Sequence, residues 1–129
     1  VVEGELDEDV ELPTGVSVSI ASVRATSVKA ETPGETSGPA VKVVVTLTND
    51  SNDTYDVDSA VVALYTPDGE LGIPTLAGGT DVLSGTLEPG AATRGTYVFM
   101  LDPAKGRDII ISVNYAAGEP VAEFTGRSS

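Results

Sequence analysis

Apolar and polar positions alternate with a period of two over most of the chain. Val16, Val18 and Ile20 share one parity and Ser17 and Ser19 the other, which predicts a strand with one buried face. The parity slips at Ala21-Ser22 and resumes with Val23 and Ala25, so a β-bulge, or a kink carrying the strand from one sheet to the other, is expected there. Ala40 to Thr48 places Val41, Val43, Val45 and Leu47 on one face and Lys42, Thr46 and Thr48 on the other. Val44 interrupts the polar face, so this strand is expected at the centre of its sheet, partly covered on both sides. Tyr55 with Val57, Val61 to Tyr65, Ile109 to Tyr115 and a closing run through Ala122 and Phe124 complete the strand pattern. No segment carries a helical period.

The turn residues fall between these runs. Leu83, Gly85 and Leu87 on one side and Tyr97, Phe99 and Leu101 on the other flank Glu88-Pro89-Gly90, the segment around which the chain is organised. Proline presets φ for the first corner of a turn and glycine accepts the positive φ of a type II second corner, so the chain is expected to reverse at this point. Thr66-Pro67-Asp68-Gly69 repeats that chemistry, and Asn49 to Asp53 reads as a polar turn. Glu31 to Pro39, Asp102 to Asp108 and Ala116 to Pro120 read as loops and turns, and Leu71 to Thr80 as a long irregular connection of the kind that carries function.

Together these signals predict an all-β fold, an antiparallel β-sandwich of about seven to eight strands, with a barrel as the alternative. Val41, Val43, Val45, Leu47, Phe99, Ile109, Ile111 and Val113 are expected to line the space between its sheets. Residues 16–126 form the sandwich in this reading and residues 127–129 a tail. Residues 1–15 carry six carboxylates and no cation, so they are expected to be a solvated acidic leader or stalk. An edge strand through Val2, Leu6 and Val10 is the alternative.

Composition narrows the chemistry. The 129 residues suffice for one core, and the absence of cysteine excludes disulfides, thiolate metal sites and cysteine nucleophiles. Histidine is absent as well, which removes the usual general base and the commonest transition-metal ligand. A net charge of −13, with seven basic residues scattered along the sequence, argues against nucleic acid and against anionic membrane surfaces. No run is long enough to span a membrane. A chain opening at Val1 without methionine is expected to be a processed form, its membrane contact made through an N-terminal anchor that has been removed.

The order of a kinked first strand, VKVVVTLTNDSNDTYDV, ALYTPDGE, SGTLEPGAATRGTYVFML and DIIISVNY resembles the immunoglobulin-like extracellular domains of small secreted or lipid- or membrane-anchored Gram-positive bacterial proteins, many known only as domains of unknown function. The resemblance covers Val16 to Phe124. It implies an immunoglobulin-like sandwich in an extracellular or cell-surface setting, and its recurring residues are turn formers and core apolars that specify architecture and not activity. The Cys pair and buried Trp of antibody-type domains are missing.

Few residues offer a site. Asp50, Asp53, Asp56 and Asp58 gather hard oxygen ligands near one end of the sandwich, so they are the calcium candidates, although their spacing is not that of an EF-hand and such residues are ordinary in turns. Asn49-Asp50-Ser51 and Asn52-Asp53-Thr54 match the glycosylation pattern. Tyr55, Tyr65, Tyr97 and Tyr115 could in principle form a sugar-stacking platform, but Tyr97 and Tyr115 fall on core parity. Lys105 and Arg107 flank Gly106 where an anion could sit. No positioned base or nucleophile can be named, so a non-enzymatic interaction or structural module of the cell envelope is expected, partnered by another envelope protein and without cofactor. A calcium-dependent adhesive or carbohydrate-binding module is the alternative.

Overall fold

The computed structural model describes residues 2–29, 37–75, 79–116 and 120–128. Among them the chain forms eleven strands and no helix: β1 (Val2–Glu5), β2 (Val10–Glu11), β3 (Val16–Val28), β4 (Gly38–Asn49), β5 (Tyr55–Asp56), β6 (Val61–Tyr65), β7 (Ile73–Thr75), β8 (Thr86–Leu87), β9 (Ala92–Met100), β10 (Asp108–Asn114) and β11 (Val121–Arg127). The expected count of seven to eight is therefore too low. The additional strands are two to four residues long, too short for an alternation to register in sequence.

The strands form a four-stranded sheet in the order β1-β11-β10-β6 and a five-stranded sheet in the order β2-β3-β4-β9-β7, with β5 paired to β8 as a separate ribbon. One continuous apolar core lies between the two large sheets, as expected of a sandwich and not of a closed barrel. All eight residues proposed for it from alternation are buried, each 1% exposed or less. A smaller cluster of Val28, Ala40 and Val98 lies on the opposite face of the five-stranded sheet. The strand read as central, β4, is the third of the five. The slip at Ala21 is a bulge, with pairing to β4 resuming at Ser22, so β3 stays within one sheet.

The acidic N-terminal segment is not a stalk. β1 runs parallel to β11 at the edge of the first sheet and β2 pairs with β3 at the edge of the second, so residues 2–11 cross between the sheets. Leu6 donates its amide to the Thr125 carbonyl at 3.0 Å, Leu12 is buried, and the Thr14 hydroxyl lies 2.7 Å from that of Tyr115. Gly126 makes room for this segment, since a Cβ there would stand 2.5 Å from Leu6 Cδ1. The carboxylates of β1 occupy its outward positions, so an acidic strand can still bury Val2 and Leu6. The reading of residues 127–129 as a tail is corrected at its first two positions: β11 extends to Arg127, and Ser128 is buried, its amide donating to the Arg107 carbonyl at 2.9 Å, while residue 129 lies outside the described residues.

A second crossing occurs on the opposite flank. Tyr65 bridges to Leu71, and within two residues the chain joins β9 as β7, so part of the expected irregular connection is an edge strand. Gly72 sits at the crossing, where a Cβ would lie 2.9 Å from Leu64 Cδ2 of one sheet and 3.0 Å from Phe99 Cβ of the other. No side chain fits there without displacement. Loop readings over residues 31–36, 76–78 and 117–119 lie outside the described residues.

Candidate functional site

β6 ends the first sheet and β7 the second, and both edges lie on the flank where the chain crosses between sheets. Beyond the crossing the two edges are not joined, and a groove of about 280 Å³ opens between them, lined among others by Ala60, Val61, Val62, Pro74, Val82 and Phe99. The large apolar side chains that are exposed among the described residues, Val61 (60%), Leu71 (67%), Ile73 (59%) and Val82 (50%), belong to or adjoin this flank. Scattered exposed apolar residues are ordinary, but their confinement to one flank beside an apolar groove is not.

Local sequence explains each position. In Val61-Val62-Ala63-Leu64, Val62 and Leu64 point into the core, so period two turns Val61 outward. Leu83 packs over Gly95, where a Cβ would come within 2.7 Å of it, and this fixes Val82 on the outside. The amide of Gly72 donates to the Leu64 carbonyl at 2.9 Å and that of Thr66 to the Glu70 carbonyl at 2.8 Å, so Leu64 in β6 and Thr66 just beyond it direct their backbone groups toward the segment that leads into β7. Val62 has the same orientation, but β7 has by then turned to β9. Pro74, on the facing edge, has no N–H to offer.

The groove lining contains no lysine or arginine, while Asp58 precedes it by two residues and Asp81 separates Thr80 from Val82, both carboxylates exposed. Tyr97 contributes a phenol that accepts the Leu83 amide at 3.1 Å. Burial pushes that phenol above its ordinary range, the Leu83 hydrogen bond acting against it, so the hydroxyl keeps its proton at neutral pH.

The other candidates from sequence are placed as follows. Asp50 and Asp53 lie on the exposed turn after β4, Asp56 Oδ1 accepts the Asp58 amide at 2.9 Å, and Asp58 Oδ1 accepts the Gly85 amide at 2.6 Å. Two of the four carboxylates are thus engaged in holding turns, and no group of three or more metal-ligating acids forms among the described residues. Asn49 of the first glycosylation match is buried, its Nδ2 donating to the Asp53 and Leu87 carbonyls at 2.7 and 3.1 Å. The tyrosines do not form a platform. Tyr115 is buried and meets Tyr55 edge to face at 5.3 Å, Tyr97 lines the groove, and Tyr65 bonds Glu123 on the outside of the first sheet. Arg107 is paired with Glu70 and donates to the Pro103 carbonyl at 2.8 Å, so its guanidinium is already occupied.

Sequence reasoning marked Leu71 to Thr80 as a candidate functional segment but did not single out Val61 or Val82. The available signal was the unbroken apolar run at Val61, which a half-buried edge strand does not need.

Two sheets enclosing one core and leaving one flank open define an all-β sandwich domain. Residues 6–121 match DUF4352, a domain of unknown function, and because that match spans most of the chain the protein belongs to this family. Among solved structures it is similar to YcdA of Bacillus subtilis subsp. subtilis str. 168, a protein inferred to be a lipoprotein, with a TM-score of 0.71 and 18% identity over 97% of this chain and 39% of YcdA. It is also similar to YjhA of Bacillus subtilis, with a TM-score of 0.65 and 13% identity over 96% of this chain and 99% of YjhA. At these identities the likeness is one of fold, and the chain spans about two fifths of YcdA. Among curated proteins none matches the sequence.

Proposed function

We propose that this domain is a non-enzymatic, immunoglobulin-like module of the cell envelope that docks another envelope protein through its β6–β7 flank. The observation that carries the proposal is the exposure of Val61 and Val82 on the groove, with Leu71 and Ile73 exposed along the same flank, at an energetic cost in solvation that a flank with no partner has no reason to bear. The parallel β1–β11 pair joined to antiparallel sheets supports the immunoglobulin-like reading, and the inferred lipoprotein character of YcdA supports the extracytoplasmic one. Absence of histidine and cysteine supports a role without catalysis.

Photocrosslinking in cells tests it. A photoreactive residue at Val61 or Val82 is expected to give a discrete adduct with another envelope protein, and the same residue at Thr125, on the outer face of the first sheet, none. Equal adducts from all three positions, or none from Val61 and Val82, would sink the proposal.

A further inference from the structure

We infer that the groove takes an extended segment of the partner, apolar in the middle and flanked by lysine or arginine, added as a strand along the free end of β6. This rests on the docking reading of the flank and names its partner's chemistry.

Three observations converge. Val62 directs both backbone groups out of the sheet edge, and neither has a backbone partner among the described residues, so an incoming strand can exchange two hydrogen bonds with it. The groove beside it, about 280 Å³ and walled by Ala60, Pro74, Val82 and Phe99, matches alternate apolar side chains of an extended chain, while Pro74 leaves the facing edge without a competing donor. Asp81 lies between the lining residues Thr80 and Val82, and the lining itself holds no cation, although Lys42 Nζ reaches the neighbouring Gly79; within a chain of net charge −13 basic flanks would still be drawn in and acidic ones repelled. A second copy is disfavoured by the net charge, since a two-fold contact would set two strongly acidic chains against each other.

The probes are the capped peptides Lys-Val-Ile-Val-Lys and Glu-Val-Ile-Val-Glu, titrated into isotope-labelled protein and followed by amide shifts and hydrogen exchange. The basic peptide is expected to shift Val61, Val62 and Val82 and slow exchange of the Val62 amide. Binding should weaken roughly two- to fivefold in Asp81→Asn, the effect of one exposed charge pair, and be lost in Val61→Glu with the melting midpoint preserved. N-methylation of the peptide at one backbone parity should abolish binding while the other parity leaves it intact. Equal binding of the acidic peptide in the groove, indifference to N-methylation at both parities, or self-association abolished by Val61→Glu in place of peptide binding would each overturn the inference. Crosslinks from Val61 in cells without binding of either peptide would overturn it too, while leaving the docking reading standing.

Discussion

The amide of Gly90 donates to the carbonyl of Asn49 at 2.7 Å, and the Asn49 amide donates in return to the Ala91 carbonyl at 2.9 Å, so the end of the central strand clasps the turn that leads into its neighbour. Ala91 donates to Glu88 at 3.0 Å and Gly90 has φ +81°, which makes Glu88-Pro89-Gly90-Ala91 the type II turn its composition predicts. Because β8 pairs with β5 and β9 with β4, this turn is a corner between sheets and not a hairpin within one.

Gly90→Val is expected to cost about 1–3 kcal/mol. Nothing lies within 4 Å of a Cβ built at Gly90, so the loss comes from backbone strain alone. Pro89→Ala should cost only about 0.4–1 kcal/mol, by freeing the unfolded chain. Denaturant unfolding of the two variants checks the inequality, and equal losses would refute the strain argument.

Asn49→Ala should destabilise by about 2–4 kcal/mol, because it strands the buried Leu87 carbonyl and removes the acceptor for the Ser51 amide, now 3.0 Å from Asn49 Oδ1. The same measurement on Asn52→Ala, at an exposed position, should give less than about 0.5 kcal/mol.

Gly126→Ala should release the N-terminal segment without unfolding the sandwich, since the added methyl collides with Leu6 and not with the core between the sheets. Hydrogen exchange should then accelerate at Leu6 and along β1 while β4 and β9 keep their protection. Uniform acceleration through both sheets would mean that the segment is integral to global stability.

The Thr66 hydroxyl bonded to Asp68 holds that carboxyl below its usual range. A lowered folded value means that the contact stabilises above the unfolded pKa, about 3.9, and that this contribution is lost as pH falls through the folded value. Thr66→Val is therefore expected to move the Asp68 titration upward, as NMR would show. Its stability deficit should shrink in acid below both values.

Millimolar calcium is expected to leave the melting midpoint unchanged, because Asp56 and Asp58 already accept backbone amides in holding their turns. A rise abolished by Asp56→Asn would reverse that expectation.

Local chemistry alone determined much of this protein. Alternation at Val41, Val43, Val45 and Leu47 was enough to identify the central strand and its buried face, because the period of two is a property of the strand itself. Proline and glycine were enough for the turns at Pro89-Gly90 and Pro67-Asp68-Gly69, because each residue's allowed φ is local too. Which edge of a strand stays uncovered is not local. Val61 and Val82 look like any strand valines until the sheet order makes β6 and β7 edges of one flank, and the acidic run at residues 2–11 looks solvated until β11 supplies a partner more than a hundred residues away. Asn49 reads as a turn residue, and it became the buried clasp of three segments only when tertiary packing brought the Leu87 and Ala91 carbonyls to its amides. Pairings between distant segments of two to four residues leave no period in the chain, so the candidate site, made of such pairings and of their absence, was decided by the fold.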